Sequence, residues 1–326
     1  MREKSAECPL CQGETSTLFS VPCDWRKPMS SVKGYKVNWC EHCDYGQVWQ
    51  RPDQTEIKMF YDVDYYTHGA VVTQDKSQKK EIFLDKLRVH LAWRFDKGEE
   101  LRPGSIVPLI RSNKSDFSIC EIGCGKGNNL SKFDSEGFSV FGVEPDPISR
   151  AIAKESFENV FDGTAEELPE DILNEKYDVI LMSHVLEHCR DVNTSVSNIK
   201  RIISDGGVLV VETPNCSAYG FVNYRGEWPW SDLPRHLNFF TPSSLKSVLD
   251  KHGFRIVATQ YRGFCRQFSN SWLENERKIW KSFATNGSQR TSPPRFKLRA
   301  WKLLLQSIFS SKAHKYDSVR LIAIKS

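Results

Sequence analysis

The stretch that decides the fold runs Ile119-Cys-Glu-Ile-Gly-Cys-Gly-Lys-Gly127, an apolar strand that leads into closely spaced glycines. Glycines at a strand-to-helix turn let the backbone turn tightly and approach a ligand closely. The spacing is G-x-G-x-G and the acidic Glu121 precedes it, whereas dinucleotide-binding folds use G-x-G-x-x-G. The stretch therefore favours a nucleoside cofactor other than NAD.

Apolar strands alternate with helical segments after this turn, as expected for a mostly parallel sheet that is covered on both faces. The predicted strands are 118–122, 139–143, 177–182, 207–212, 255–261 and 319–324. The second of them leads into Glu144, 21 residues after Gly123. A carboxylate at that place in a doubly wound α/β fold can accept hydrogen bonds from both ribose hydroxyls.

Two pairs of cysteines near the N-terminus have the spacing of metal-binding knuckles, namely Cys8-x-x-Cys11 and Cys40-x-x-Cys43. Four thiolates are the ligand set of a closed structural zinc site, which leaves no position for a catalytic water. We therefore expect a structural Zn²⁺. Cys23 and His42 are alternative ligands, and ordinary reduced thiols are the alternative interpretation.

Four motifs in this order resemble the class I S-adenosylmethionine-dependent methyltransferases: 121–127 the glycine-rich motif, 163–169 the adenine turn, 177–188 the fourth strand and 206–215 the fifth. The resemblance implies a Rossmann-like, mostly parallel seven-stranded sheet with S-adenosylmethionine as cofactor. Thr164 stands where the family often has Asp, so Thr164 or a backbone group, or Asp162, is expected to meet the adenine. The implied cofactor residues are Glu121, Gly123, Cys124, Gly125, Gly127, Glu144, Pro145, Thr164, Ala165, Glu166 and Ser183.

Three polar residues, His184, Glu187 and His188, follow the fourth strand at the edge where doubly wound sheets place their ligands. Methyl transfer from a sulfonium needs an aligned acceptor and, for some nucleophiles, a base that removes a proton. His188 is the preferred base. The alternative is that His184 and Glu187 only cap the next helix or contact the cofactor.

The chain is also similar to bacterial sugar methyltransferases that carry an N-terminal cysteine module, through Leu186-Glu187-His188 and the segment 228–242. The resemblance implies acid/base chemistry by the Glu-His pair and substrate contacts by Tyr61, Tyr65 and Tyr66. In the 228–242 segment, Arg235 is expected to bind a phosphate or carboxylate and His236 to assist proton transfer. The alternative for its aromatic residues is a place in the core. The chain is shorter than the sugar C-methyltransferases of that group.

The expected domains are a zinc-binding module at 1–52, a helical connector at 53–104 that contributes to the substrate site, and a methyltransferase domain at 105–326. The last contains a lid segment at 217–242 and a helical insertion at 263–316. The ten cysteines and a charged start without a secretory signal favour the cytoplasm.

The net charge of +4 is unevenly distributed, because residues 262–326 hold 14 Lys/Arg against 3 Asp/Glu. Within them, 295–312 has the pattern of a basic amphipathic helix, which either packs on the sheet or makes peripheral membrane contact. Because the basic charge is confined to this tail, we expect no DNA partner and regard RNA as a less favoured substrate than a small molecule.

The expected activity is methyl transfer to a small polar acceptor, a sugar or nucleotide sugar, at oxygen, nitrogen or carbon. One alternative is an RNA methyltransferase with an N-terminal zinc module. Another is a non-catalytic scaffold that binds the cofactor. The pattern does not specify an oligomeric state.

Overall fold

A computed structural model of the chain describes residues 7–27, 34–61, 83–111, 114, 116–287 and 292–325. Its strands are β1 (Ser16–Val21), β2 (Tyr35–Cys40), β3 (Tyr45–Trp49), β4 (Ser118–Ile122), β5 (Ser139–Val143), β6 (Val160–Phe161), β7 (Tyr177–Ser183), β8 (Ile203–Pro214), β9 (Asn238–Phe240), β10 (Phe254–Arg262) and β11 (Ser318–Lys325). Its helices are α1 (Gln54–Tyr61), α2 (Phe83–Phe95), α3 (Pro103–Ile106), α4 (Asn128–Asp134), α5 (Pro147–Lys154), α6 (Glu170–Leu173), α7 (Val192–Ile202), α8 (Tyr219–Tyr224), α9 (Pro242–Lys251), α10 (Asn270–Thr285), α11 (Phe296–Ile308) and α12 (Lys312–Lys315).

The larger sheet has seven strands in the order β10-β11-β8-β7-β4-β5-β6. Neighbours from β8 through β6 pair in parallel, whereas β11 pairs antiparallel with both β8 and β10. Apolar residues of the central strands are buried on both faces of this sheet, in two separate clusters. The predicted Rossmann-like, mostly parallel seven-stranded fold is confirmed. All six predicted strands are present, and the two-residue β6 is an addition.

The smaller sheet has the order β1-β2-β3-β9, and it joins two parts of the chain that were predicted to lie in different domains. β1 to β3 come from the cysteine-rich module, whereas β9 comes from the lid segment. Tyr45, Gly46 and Gln47 pair antiparallel with Phe240, Phe239 and Asn238. The module and the lid segment therefore share one sheet. The domain boundaries themselves stay predictions.

Gly46 gives a direct test of this shared sheet. A Cβ atom at Gly46 would lie 2.6 Å from the Trp39 ring and 3.0 Å from the Phe239 Cβ. Gly46→Val should therefore lower the free energy of unfolding by about 1–3 kcal/mol, as overpacking typically does. Denaturant unfolding would measure it. Gly104→Val is the matched control, because a Cβ at this exposed glycine would meet nothing closer than 3.9 Å; equal stability of the two variants would contradict the packing of Gly46 against Trp39 and Phe239.

The basic helix predicted at 295–312 is α11, and it presents apolar residues on two sides. Phe296, Ala300, Leu303 and Leu304 are buried against α2 and neighbouring elements, whereas Leu298 and Leu305 are exposed. Packing on the protein thus accounts for one side only, and peripheral membrane contact by the other side stays a prediction. No helix in the described ranges combines the length and apolar character that crossing a bilayer requires.

Candidate active site

The glycine-rich turn follows β4 directly and forms a cradle at the carboxyl end of the sheet. Gly123 and Gly127 have φ angles of 69° and 81°, in the left-handed region that favours glycine. A Cβ on Gly123 would lie 2.5 Å from a Val185 methyl, and one on Gly127 would lie 2.9 Å from the Phe157 ring. The turn thus requires glycine for both conformation and space.

Glu144 lies across this cradle, just after β5, where a ribose-binding carboxylate was predicted. Its Oε2 accepts a hydrogen bond from the Gly125 amide at 2.7 Å, and its Oε1 accepts one from the Asp146 amide at 2.8 Å. Burial raises its pKa, although these amides oppose the shift. Each carboxylate oxygen has a second acceptor position, so the group is held in place and can still accept from a ligand. The neighbouring Pro145 carbonyl accepts from Arg150.

Glu121 lies beneath the same cradle and is 2% exposed. Its Oε1 accepts from the Asn129 amide at 2.7 Å, while its Oε2 has no hydrogen-bond partner among the described residues. Burial raises its pKa to about 8. A buried oxygen of this kind suits a polar ligand group nearby. Cys124, by contrast, is buried against the residues around Gly142.

The predicted adenine turn is held by its own side chains. Thr164 Oγ1 accepts from the Glu167 amide at 3.0 Å, so this hydroxyl supports the turn. Ala165 is buried, and Glu166 Oε1 accepts from the Asp191 amide at 2.7 Å. Asp162, the alternative adenine contact, pairs with Arg150 at 3.0 Å.

His184 begins the polar cluster after β7 and has a φ of 58°, a strained value for a non-glycine residue. Its Nδ1 lies 3.1 Å from Glu187 Oε1 and its Nε2 lies 3.3 Å from Glu212 Oε1. Its ring stacks on Trp230 of the lid segment, with centroids 5.2 Å apart. Burial alone would lower the pKa of His184, but the two carboxylates raise it to about 9. At neutral pH His184 is therefore an imidazolium without a lone pair for a proton.

His188 and His236 form the second half of this cluster, with ring centroids 4.7 Å apart. His188 Nδ1 lies 3.1 Å from the Arg235 carbonyl, and His236 Nδ1 lies 2.7 Å from the Trp230 carbonyl. Because a carbonyl only accepts, each Nδ1 carries a hydrogen, so a lone pair that could take a substrate proton can lie only on Nε2. Burial is the largest cause that lowers the pKa of His236 to about 4, so this ring is neutral at neutral pH.

Ser183 ends β7 next to this cluster and lines a polar cavity on the α4 side of the sheet. The cavity is also lined by Glu212, Arg262 and Arg320. Arg320 donates to Glu212 at 2.6 Å and 2.9 Å, while Arg262 is only 3.7 Å from the same carboxylate and is partly exposed. The cavity therefore adjoins both the cofactor cradle and the histidine cluster.

Arg235 is buried, and the geometry does not support its predicted role in binding substrate. Its Nη1 and Nη2 each donate to Asp24 at 2.8 Å, and Nε and Nη2 donate to Asp232 at 3.2 Å and 3.0 Å. Nη1 also donates to the Phe60 carbonyl. All five donors of the guanidinium are thereby used within the protein. Tyr61 is the last residue of α1, and the predicted contacts of Tyr65 and Tyr66 lie outside the described residues.

The structure brings together the four predicted zinc ligands, Cys8, Cys11, Cys40 and Cys43, with their sulfurs within 4.8 Å of one another. Cys23 is not near them in the fold, because its sulfur contacts the Ser282 hydroxyl at 3.3 Å. A second set of described residues could also ligate a metal through two nitrogens and one carboxylate, namely Glu187, His188 and His236.

Three contributors to the site were missed by sequence reasoning: Glu212, Trp230 and Asp24. Glu212 was visible as an acidic residue near the carboxyl end of a buried strand, the edge that carries the other polar residues. Trp230 was predicted only to lie in the lid segment or, as the alternative, in the core, whereas its ring contacts both His184 and His236. Asp24 gave no local signal, since its partner Arg235 is 211 residues away.

Comparison with curated proteins finds ubiquinone biosynthesis O-methyltransferases. That of Rhodopseudomonas palustris strain HaA2 is 27% identical over 158 residues, which cover 46% of this chain and 62% of the relative. The human mitochondrial protein of that name is 26% identical over 195 residues, covering 54% of this chain and 52% of the relative. The alignments thus span between half and two thirds of these relatives.

Among solved structures, a SAM dependent methyltransferase from Archaeoglobus fulgidus is 19% identical with a TM-score of 0.46, covering 73% of this chain and 94% of that one. The YcgJ protein from Bacillus subtilis is 17% identical, also with a TM-score of 0.46, covering 68% and 97%.

A family model described as "Methyltransferase domain" matches residues 91–259, just over half of the chain. The matched region contains the glycine cradle, Glu144, the adenine turn and the histidine cluster. The chain therefore belongs to the methyltransferase-domain family and has the class I S-adenosylmethionine-dependent methyltransferase fold.

Proposed function

We propose that this protein transfers a methyl group from S-adenosylmethionine to a hydroxyl of a small polar acceptor, a sugar or nucleotide sugar. One observation carries the proposal: His188, whose Nδ1 faces the Arg235 carbonyl, lies within 4.8 Å of the Glu187 carboxylate at the strand edge that also carries the cofactor cradle. Membership of the methyltransferase-domain family supports methyl transfer. The resemblance to sugar methyltransferases supports the acceptor class.

The residues present fit the cofactor. Both Glu144 oxygens can accept from ribose hydroxyls, and the glycine cradle admits a close ligand. The buried Glu121 Oε2 can accept from the methionine amino group, because that positive charge, once bound, favours the ionised carboxylate over the protonated form. When bound, the cofactor supplies a methyl group on a positively charged sulfur.

The protein contributes alignment and proton removal. His188, with its lone pair on Nε2, takes the hydroxyl proton as the acceptor oxygen attacks. Glu187 is ionised, because hydrogen bonding from His184 outweighs burial and lowers its pKa. It stabilises the positive charge that then develops on His188. His236 assists, and the protonated His184 holds Glu187 in place.

The acceptor class is tested by measuring formation of S-adenosylhomocysteine with panels of nucleotide sugars, free sugars and dihydroxylated phenols. The phenols are included because the curated relatives are named for ubiquinone biosynthesis. Turnover with sugars or nucleotide sugars would support the proposal. Turnover with phenols alone would reject the sugar acceptor and identify the acceptor as a phenol. Salt-dependent RNA retardation with RNA methylation would favour the RNA alternative. Cofactor binding with no turnover in any panel would favour the scaffold.

Glu144→Gln should weaken binding of S-adenosylhomocysteine by roughly tenfold to a hundredfold. The amide replaces one acceptor oxygen with a donor, and a lost hydrogen bond to a charged group costs about 1.5–3 kcal/mol. Calorimetry on the purified variant measures the change. Glu155→Gln, an exposed carboxylate just after α5, is the control. Unchanged affinity in Glu144→Gln would remove the ribose assignment.

We also propose that Cys8, Cys11, Cys40 and Cys43 bind one structural Zn²⁺. Four sulfurs within 4.8 Å of one another are the soft donor set that tetrahedral zinc prefers. Support also comes from the Gly13 amide, which donates to the Cys11 sulfur at 3.4 Å, as suits a thiolate.

A further inference from the structure

The cysteine module reaches the histidine cluster through one buried ionic group. Asp24 lies shortly after β1 and is 2% exposed, and both of its carboxylate oxygens accept from Arg235 at 2.8 Å. Asp232 accepts from Arg235 on the other side and also from Arg26 of the module at 2.9 Å. Two carboxylates thus face two guanidiniums, so each charged side chain of this group has a partner of opposite charge.

Arg235 is connected to the proposed base through its main chain. Its carbonyl oxygen accepts the hydrogen on His188 Nδ1, at 3.1 Å. The position of this carbonyl decides which nitrogen of His188 carries the proton. The side chain of the same residue is held in a bidentate pair with Asp24, which restrains the main chain of Arg235 relative to the module.

We propose that Asp24 is a positioning residue for His188: it holds Arg235 so that the Arg235 carbonyl keeps the His188 proton on Nδ1 and the lone pair on Nε2. The inference rests on the proposed role of His188 as base. It gives the cysteine module a part in catalysis, because Asp24 belongs to the module and contacts neither the cofactor cradle nor the histidine rings in the contacts described.

Two further contacts make this lid turn rigid around Arg235. The Leu237 amide donates to the Glu187 carbonyl at 2.7 Å, and Asn238 Nδ2 donates to the Cys189 carbonyl at 2.6 Å. The chain on either side of His188 is therefore bonded to the same turn. Because hydrogen bonds on both sides of His188 tie it to this turn, a shift of the Arg235 carbonyl should also move the His188 ring.

The test variant is Asp24→Asn, because the amide has nearly the same shape but turns an NH₂ group toward the guanidinium. We expect kcat to fall by roughly tenfold to a hundredfold, with KM, zinc content and affinity for S-adenosylhomocysteine unchanged. Nitrogen-15 NMR of the histidine rings should show His188 shifting from the Nδ1-protonated form toward a mixture of tautomers. Asp24→Glu keeps the charge and should recover part of kcat and of the original tautomer.

The matched control is Glu14→Gln, an exposed carboxylate of the same module, which should change neither readout. An unchanged His188 tautomer in Asp24→Asn would overturn the inference. Loss of zinc or cofactor binding in both Asp24 variants would also overturn it, since Asp24 would then only support folding. The NMR readout needs no acceptor: a tautomer shift in a protein that methylates nothing would uphold the positioning and reject the proposed activity instead.

Discussion

His188→Ala should reduce turnover by about a hundredfold to ten-thousandfold, the range that a positioned general base contributes. Removing the imidazole removes the proposed base: His184 is protonated, and His236, whose Nδ1 hydrogen goes to the Trp230 carbonyl, is expected only to assist. Affinity for S-adenosylhomocysteine should stay within about twofold, because Glu144 and the glycine cradle are untouched. Steady-state kinetics and calorimetry on one preparation measure both quantities.

The control for this prediction is His90→Ala, an exposed histidine on α2. Glu187→Gln should also lower turnover without loss of cofactor binding, since the amide no longer balances the charge on His184 or the charge that develops on His188 when it takes the proton. Wild-type turnover in both His188→Ala and Glu187→Gln would reject the acid/base pair. Loss of cofactor binding together with turnover would instead place these residues in the cofactor site.

The parts of the fold that could be predicted are those that depend on residues close together in the sequence. β4 and β5 are short apolar runs that end at glycine or acidic residues, so their bounds match the prediction residue for residue. The glycine turn and Glu144 lie within 25 residues of one another. Each follows a strand of a predicted strand–helix–strand unit, and the carboxyl ends of parallel strands meet at one edge of the sheet, so the sequence alone places them together. The cysteine knuckles are likewise read from their spacing.

The parts that could not be predicted depend on contacts between distant segments. β9 has only three residues, too few for a periodic pattern, and it becomes a strand because β3 pairs with it. Arg235 was expected to meet a substrate anion, since an Arg beside a His in a lid is an obvious anion partner. Its true partners include Asp24 from the other end of the chain, which no local pattern indicates.

Removal of zinc should unfold the smaller sheet and abolish turnover while leaving cofactor binding largely intact. Structural zinc contributes about 10–16 kcal/mol of apparent binding free energy in small modules, which exceeds the stability of most domains. β9 belongs to that sheet and lies two residues after His236, so the histidine cluster should lose its order together with the module. The cofactor cradle lies on β4 and β5 of the other sheet and should survive.

This prediction is measured with Cys40→Ser, metal analysis and thermal unfolding, and we expect one zinc per chain in the wild type and none in the variant. Cys265→Ser is the matched control, a half-buried cysteine outside the cluster. Full zinc content and unchanged melting in Cys40→Ser would contradict the assignment. Metal that persists in Cys40→Ser and is lost in His188→Ala would place the ion at Glu187, His188 and His236, and His188 would then be a ligand and not a base.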